Sequence, residues 1–293
     1  MSTKPGIGPA FSLRSPWTLR LETLGFSVRS DVYPSGGGQT AVTLFEVAGS
    51  EKLLLLAHGT GNDHFFTLQD LIEESLTEGW SVLTLDLPGH GRASSTLLTE
   101  ESFRSAGEDL KAYLSASKLD SRKLYAAGYS LGGVFWLRIA EEETLTFTKL
   151  ALLAVPLRVE LNLRFVFAEL CTLFSPSFYR QWLRYGWRET VPAFGRFRRK
   201  DFPLRLAPKE TLSYPAFIDK ILSSRSPLES VAKLSHNCLV IFGGWDRLAK
   251  PKDFELWQKA NPGLTRVVVD RANHFLLPFQ KPTIKALIQW MKS

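Results

Sequence analysis

The chain has 293 residues, of which 44% are hydrophobic, 12% aromatic and 22% charged, with a formal net charge of +7. This composition excludes global disorder and supports one large core with room for an inserted subdomain. The two cysteines, Cys171 and Cys238, lie far apart and exclude a disulfide framework or a cysteine metal site.

The N-terminal stretch MSTKPGIGPAFSLRSPW carries Pro5, Gly6, Gly8, Pro9 and Pro16 and lacks the continuous apolar core of a secretion signal. No window approaches the ~18 apolar residues of a membrane-spanning helix, so the expectation is a soluble, cytoplasmic protein. Residues 18–32 and 39–47 read as antiparallel strands joined at Ser35-Gly36-Gly37-Gly38. The run LLLLA within 52–57 reads as a buried strand leading to His58-Gly59-Thr60-Gly61, and 65–78 as an amphipathic helix closed by Gly79. A second buried strand spans 81–87, ahead of Pro88-Gly89-His90-Gly91, and a polar-faced helix covers 100–117. Residues 123–127 begin a third buried strand, and 134–139 continue as a helix. Strands at 149–155, 237–242 and 264–269 alternate with helices at 252–260 and 281–292. Strands alternating with helices imply a mostly parallel sheet covered on both faces, with functional loops at the carboxyl ends of the strands.

Between strand and helix at 128–132 stands the pentapeptide Gly128-Tyr129-Ser130-Leu131-Gly132. A G-x-S-x-G in that context is a sharp turn that lifts the serine out of the sheet at a helix N-terminus. The same letters outside it would be an ordinary turn serine. A serine hydroxyl needs a base to take its proton and a third group to orient that base. Of five histidines, His274 follows the last strand and can reach back over the sheet, whereas His236 lies at the amino end of a strand, the wrong edge. Asp246, in the loop after the 237–242 strand, is the candidate orienting acid; its alternative role is a loop cap before Lys250-Pro251. An oxyanion needs backbone N–H donors, for which Leu131 and Thr60 are the candidates. His58 reads as a packed loop residue.

These motifs together resemble the serine hydrolases of the α/β-hydrolase superfamily: HGTG at 58–61, DLPGHGR at 86–92, GYSLGG at 128–133, GGWD at 243–246 and NHF at 273–275. The order Ser, Asp, His matches that superfamily. The resemblance implies an α/β-hydrolase fold over residues 1–156 and 235–293, with a helical cap inserted at 157–234. It also implies a catalytic triad of Ser130, His274 and Asp246 and no metal or organic cofactor. His90 is expected to hold its loop rather than react. Members with an aspartate nucleophile are disfavoured by Ser130, and the nearest branch looks like the monoacylglycerol lipases and lysophospholipases.

The basic excess is local. Residues 157–205 hold ten Arg and Lys against four acids, and the rest of the chain 26 against 25. The same stretch has 11 aromatics; Phe178, Trp182 and Tyr185 recur at helical spacing, with Arg180, Arg184 and Arg188 on another face. The expectation is a lid whose apolar face lines an acyl pocket and whose basic face meets an anionic headgroup, a CoA-like phosphate or a membrane surface; an ordinary solvated basic face is the alternative. No nucleic-acid fold accompanies it, so nucleic acid is not an expected partner. The expected activity is hydrolysis of a carboxylic ester with an apolar, acyl-lipid-like tail. A thioesterase, a carbon–carbon bond hydrolase or a non-catalytic binding protein on the same fold stay open.

Overall fold

A computed structural model of the chain describes residues 16–60, 68–91, 97–159, 163–170, 174–176, 179–180, 183, 221–222, 224–234 and 237–293. Eight strands form one sheet in the order β1-β2-β4-β3-β5-β6-β7-β8. They are β1 (Ser27–Ser35), β2 (Gly38–Glu46), β3 (Lys52–Ala57), β4 (Ser81–Leu85), β5 (Lys123–Tyr129), β6 (Lys149–Leu153), β7 (Asn237–Gly243) and β8 (Thr265–Val269). The pairs β1–β2 and β2–β4 are antiparallel, and every pair from β4 onward to β8 is parallel. This is the α/β-hydrolase fold.

Parallel strands are covered on both faces, which is why β3, β5, β6 and β7 are continuous apolar runs rather than alternating ones. Leu53, Leu54, Leu55 and Leu56 are all fully buried, and each contributes about 1.5–3 kcal/mol relative to exposure. The covering helices include α2 (Gln69–Thr77), α3 (Glu100–Ala116) and α4 (Leu131–Glu141). Thr99 caps α3 by accepting from the Ser102 N–H, and the Ser102 hydroxyl accepts from the Thr99 N–H in return.

The first predicted strand needs correction. Residues Pro16–Thr23 form a helix, α1, and β1 begins only at Ser27. Trp17 and Leu21, four apart, are both buried, and the Trp17 indole N–H donates to Glu73 Oε1 at 2.7 Å. An i, i+4 pair facing the core is helical spacing that strand-type residues around it obscured.

The long stretch between β6 and β7 interrupts the alternation. Its described helices are α5 (Leu163–Leu170) and α6 (Pro227–Ala232). Ser226 caps α6, whose Ser230 hydroxyl donates to Glu141 on α4 at 2.7 Å. The final elements are α7 (Phe254–Ala260), after a short 3₁₀ turn at Pro251–Asp253, and α8 (Lys281–Lys292). Among the described residues, no helix is long and apolar enough to cross a membrane.

Candidate active site

The pentapeptide forms the sharp turn that its letters demand. β5 ends at Tyr129, α4 begins at Leu131, and Ser130 between them has φ +52° and ψ −115°. A non-glycine residue in that region is strained by about 1–3 kcal/mol and persists only where its surroundings hold it. They do so here through the Ser130 N–H, which donates to Leu153 O on β6 at 2.8 Å. A methyl group on Gly128 would lie 2.4 Å from the Gly132 backbone, and one on Gly132 would lie 2.4 Å from Ala57 O. Both glycines are therefore required by close backbone approach, as the motif reading expects.

Ser130, Asp246 and His274 converge at the carboxyl ends of β5, β7 and β8. The Ser130 Oγ stands 3.1 Å from His274 Nε2. On the other side of the ring, His274 Nδ1 lies 2.9 Å from Asp246 Oδ2. The second carboxylate oxygen, Oδ1, accepts from the Leu248 and Ala249 N–H groups at 2.8 and 2.9 Å. The Asp246 carboxylate thus contacts the imidazole through one oxygen and caps its own loop through the other. With the carboxylate as acceptor, Nδ1 carries the proton and Nε2 presents a lone pair to the serine hydroxyl. All three side chains are at least nine-tenths buried.

Burial by itself lowers the pKa of His274. The charge of Asp246, its hydrogen bond to the ring and the charge of Glu169 outweigh burial, so the net shift is upward from the ordinary imidazole value.

The loop after β3 packs against the elbow. A methyl group on Gly59 would lie 3.4 Å from Ser130 Cβ and 2.6 Å from the Tyr129 ring. Half-buried Thr60 follows at this rim. Among the described residues, no carbonyl accepts a hydrogen bond from the N–H of Thr60 or of Leu131.

His58 and His90 take structural places. His58 is fully buried, with Nδ1 donating to Gly59 O at 2.7 Å and Nε2 accepting from the Leu87 N–H at 3.0 Å. His90 Nδ1 donates to Pro88 O at 2.9 Å. Phe178, Trp182 and Tyr185, expected to line the acyl pocket, lie outside the described residues. Cys238 is buried, and its thiol is pushed upward by burial. Among the described residues, no cluster of His, Cys, Asp or Glu could hold a metal ion.

Two contacts escape the motif reading. The Tyr129 hydroxyl donates to the His274 carbonyl at 3.1 Å, and Glu169 on α5 accepts from the backbone of His274 and Phe275. One signal for the second was present: Glu169 is the single acid in the apolar run LRFVFAEL.

A mostly parallel sheet whose β5 runs through a sharp G-x-S-x-G turn into a helix, with Ser, Asp and His in that chain order at its carboxyl rim, is the arrangement of the α/β hydrolases. The chain belongs to the alpha/beta hydrolase family, whose model matches residues 54–284. No curated protein matches its sequence. Its structure is similar to that of a thermophilic esterase from Thermogutta terrifontis, with 21% identity, a TM-score of 0.61 and coverage of 91% of this chain and 98% of the other. It is also similar to 2-hydroxy-6-oxo-6-phenylhexa-2,4-dienoate hydrolase from Rhodococcus sp. strain RHA1, at 18% identity and a TM-score of 0.66, covering 92% and 100% of the two chains. A thioesterase domain from the curacin biosynthetic pathway aligns at 17% identity and a TM-score of 0.61, covering 91% and 100%. Likeness at such identities speaks to the fold alone.

Proposed function

We propose that the protein is a serine hydrolase that cleaves a carboxylic ester, of acyl-lipid type, through an acyl-Ser130 intermediate. The observation that carries this reading is the line from Ser130 Oγ to His274 Nε2 at 3.1 Å and from His274 Nδ1 to Asp246 Oδ2 at 2.9 Å. Ser130 Oγ attacks the acyl carbon while Nε2 takes its proton, and the carbonyl electron pair moves onto oxygen. The Thr60 and Leu131 N–H groups, with the N-terminus of α4, hold that oxyanion. The electron pair returns, the bond to the alcohol oxygen breaks, and the alcohol leaves with the proton from Nε2. Water then attacks the acyl-serine, gives its proton to Nε2, and Ser130 departs with that proton as the acid is released. Asp246 remains ionised throughout and stabilises the imidazolium.

The lipid-like substrate is read from the segment between β6 and β7, which we take as a cap over residues 157–234. Its Phe165 ring stands 6.4 Å from the His274 ring, and Leu163, Phe167, Phe174 and Leu183 leave 72–87% of their surface exposed. An aromatic ring beside the reaction centre, on a segment that also exposes large apolar side chains, suits an acyl tail. The basic residues of the same segment suit an anionic headgroup or membrane surface.

Labelling by a fluorophosphonate probe tests the chemistry. The wild type is expected to label and Ser130→Ala to remain unlabelled; an unlabelled wild type overturns the hydrolase reading. Short- and long-chain p-nitrophenyl esters, run beside an acyl-CoA, then separate an esterase preferring long chains from a thioesterase. Binding to anionic over neutral liposomes at low salt is expected, and equal binding, or none, removes the membrane contact.

A further inference from the structure

One face of α5 rests on the turn that carries the histidine. Phe165, Ala168 and Glu169 are its half-buried positions, at i, i+3 and i+4, while Leu163, Val166, Phe167 and Leu170 are exposed. All three half-buried residues reach that turn. Phe165 stands edge-on to the imidazole, and the Ala168 carbonyl accepts from Asn273 Nδ2 at 2.7 Å. Glu169 grips the turn at two adjacent amides: Oε1 accepts from the His274 N–H at 3.1 Å and Oε2 from the Phe275 N–H at 2.9 Å. Farther along the same segment, Arg180 donates to Phe279 O at 3.3 Å. Residues 273–279 are thus tied at several points to a stretch that enters between β6 and β7, far from them in sequence.

A carboxylate is an expensive anchor. Removing it from water costs several kcal/mol unless hydrogen bonds or charges compensate. The two adjacent amides supply hydrogen bonds, and the imidazole lies close enough for its charge to be felt. Burial, with a smaller push from the Asp246 charge, raises the Glu169 pKa above the ordinary carboxylate value; the His274 charge and the two amides pull the other way. The charged groups acting on His274 are Asp246, from the loop after β7, and Glu169, from α5. The Tyr129 hydroxyl, from β5, holds the carbonyl of the same residue.

We propose that Glu169 is a positioning residue: from the inserted segment its carboxylate grips the His274 and Phe275 amides, so that the base stands at Ser130 only while α5 is seated on the histidine turn. The inference rests on the assignment of Ser130 and His274 as nucleophile and base. It makes the segment over the site a part of the catalytic apparatus as well as a wall for substrate. A displacement of α5 would release the base, and hydrolysis would be coupled to occupancy of the cap.

The rate of fluorophosphonate labelling, measured against pH for the full-length wild type, Glu169→Gln and Glu169→Ala, tests this. Labelling of the wild type, abolished by Ser130→Ala, first establishes the underlying reading; its failure is a failure of that reading and is seen before any Glu169 variant is made. Glutamine keeps one acceptor for one amide, and alanine keeps none. The expected result is a graded loss, several-fold for Glu169→Gln and roughly 10- to 100-fold for Glu169→Ala, since small misplacements of a catalytic group cost about that much. The pH midpoint of both variants is expected to fall, because a negative charge that favours imidazolium is gone. Any other pattern overturns the proposal: wild-type rates in either variant, equal losses in both, or a loss with an unmoved midpoint, which is what a merely structural anchor gives. Circular dichroism verifies folding, and if Glu169→Ala does not fold, a reduced rate and lowered midpoint in Glu169→Gln decide the matter alone.

Discussion

The Tyr129 hydroxyl donates to the carbonyl oxygen of His274 at 3.1 Å, although the two residues lie 145 positions apart. Tyr129 is the last residue of β5 and the neighbour of Ser130, so one side chain ties the elbow to the turn that bears His274. The phenol is fully enclosed, and its pKa is driven well above 10.0, first by burial and then by the charges of Glu169 and Asp246, so it stays a donor. Tyr129→Phe keeps the ring and deletes the bond. It is expected to cost about 1 kcal/mol of stability and to lower kcat/KM several-fold, read by urea unfolding and ester hydrolysis on the same preparation. An unchanged kcat/KM would show that the turn holds its place without the phenol.

The strained backbone at Ser130 sets stability against function. Ser130→Gly removes the Cβ that makes φ +52° unfavourable, relieving roughly 1–3 kcal/mol, offset by about 0.5–1 kcal/mol of glycine's added chain entropy. Ser130→Ala keeps the strain. Both are expected to lose roughly 10⁴-fold or more in kcat, yet Ser130→Gly should melt about 2 °C above Ser130→Ala, from the middle of those ranges. Parallel calorimetric scans check this, and a glycine variant that melts at or below the alanine variant refutes the idea that strain is stored there.

The pH dependence follows from which form of His274 works. In the mechanism we propose it acts as a base and must be neutral, so activity is expected to be full above its pKa and lost as pH falls through it. Burial lowers that pKa, but Asp246 and Glu169 raise it further, placing the midpoint above the ordinary value of 6.5. Asp246→Asn removes the carboxylate with the larger effect on His274 and favours the wrong tautomer. It is expected to lower the midpoint and to cut kcat by about 10⁴-fold. A pH series of kcat/KM for both proteins reads the sign directly; a midpoint that rises in Asp246→Asn contradicts the assignment.

His58 makes the opposite case. It is wholly enclosed, and its two nitrogens are spent on Gly59 O and the Leu87 N–H. His58→Ala should cost about 2–4 kcal/mol in urea unfolding through two lost hydrogen bonds and a cavity, while the residual activity keeps the wild-type pH midpoint. A midpoint displaced as far as that of Asp246→Asn would instead place His58 in the proton path.

The family motifs were legible because each has a local physical cause. Gly128 and Gly132 announce close backbone approach, a run such as LLLLA announces a strand covered on both faces, and Asp246 caps its own loop through the Leu248 and Ala249 amides. The first helix was harder to see: Trp17 and Leu21 are buried four apart, but the surrounding residues also suit a strand.

By itself, then, the sequence determined the alternation of strands and helices, the sharp turn at Ser130, and the three polar residues at strand ends, because periodicity, glycine and turn chemistry act over a few neighbouring residues. Only the tertiary structure decided that the ends of β5, β7 and β8 bring Ser130 and Asp246 each to about 3 Å from the His274 ring, and that Glu169 and Tyr129 close around the histidine turn. The contacts of His274 with Ser130, Glu169 and Tyr129 join residues more than 100 positions apart, and even His274 and Asp246 are 28 apart. They depend on how the sheet orders its strands and where α5 comes to rest, which no local pattern encodes.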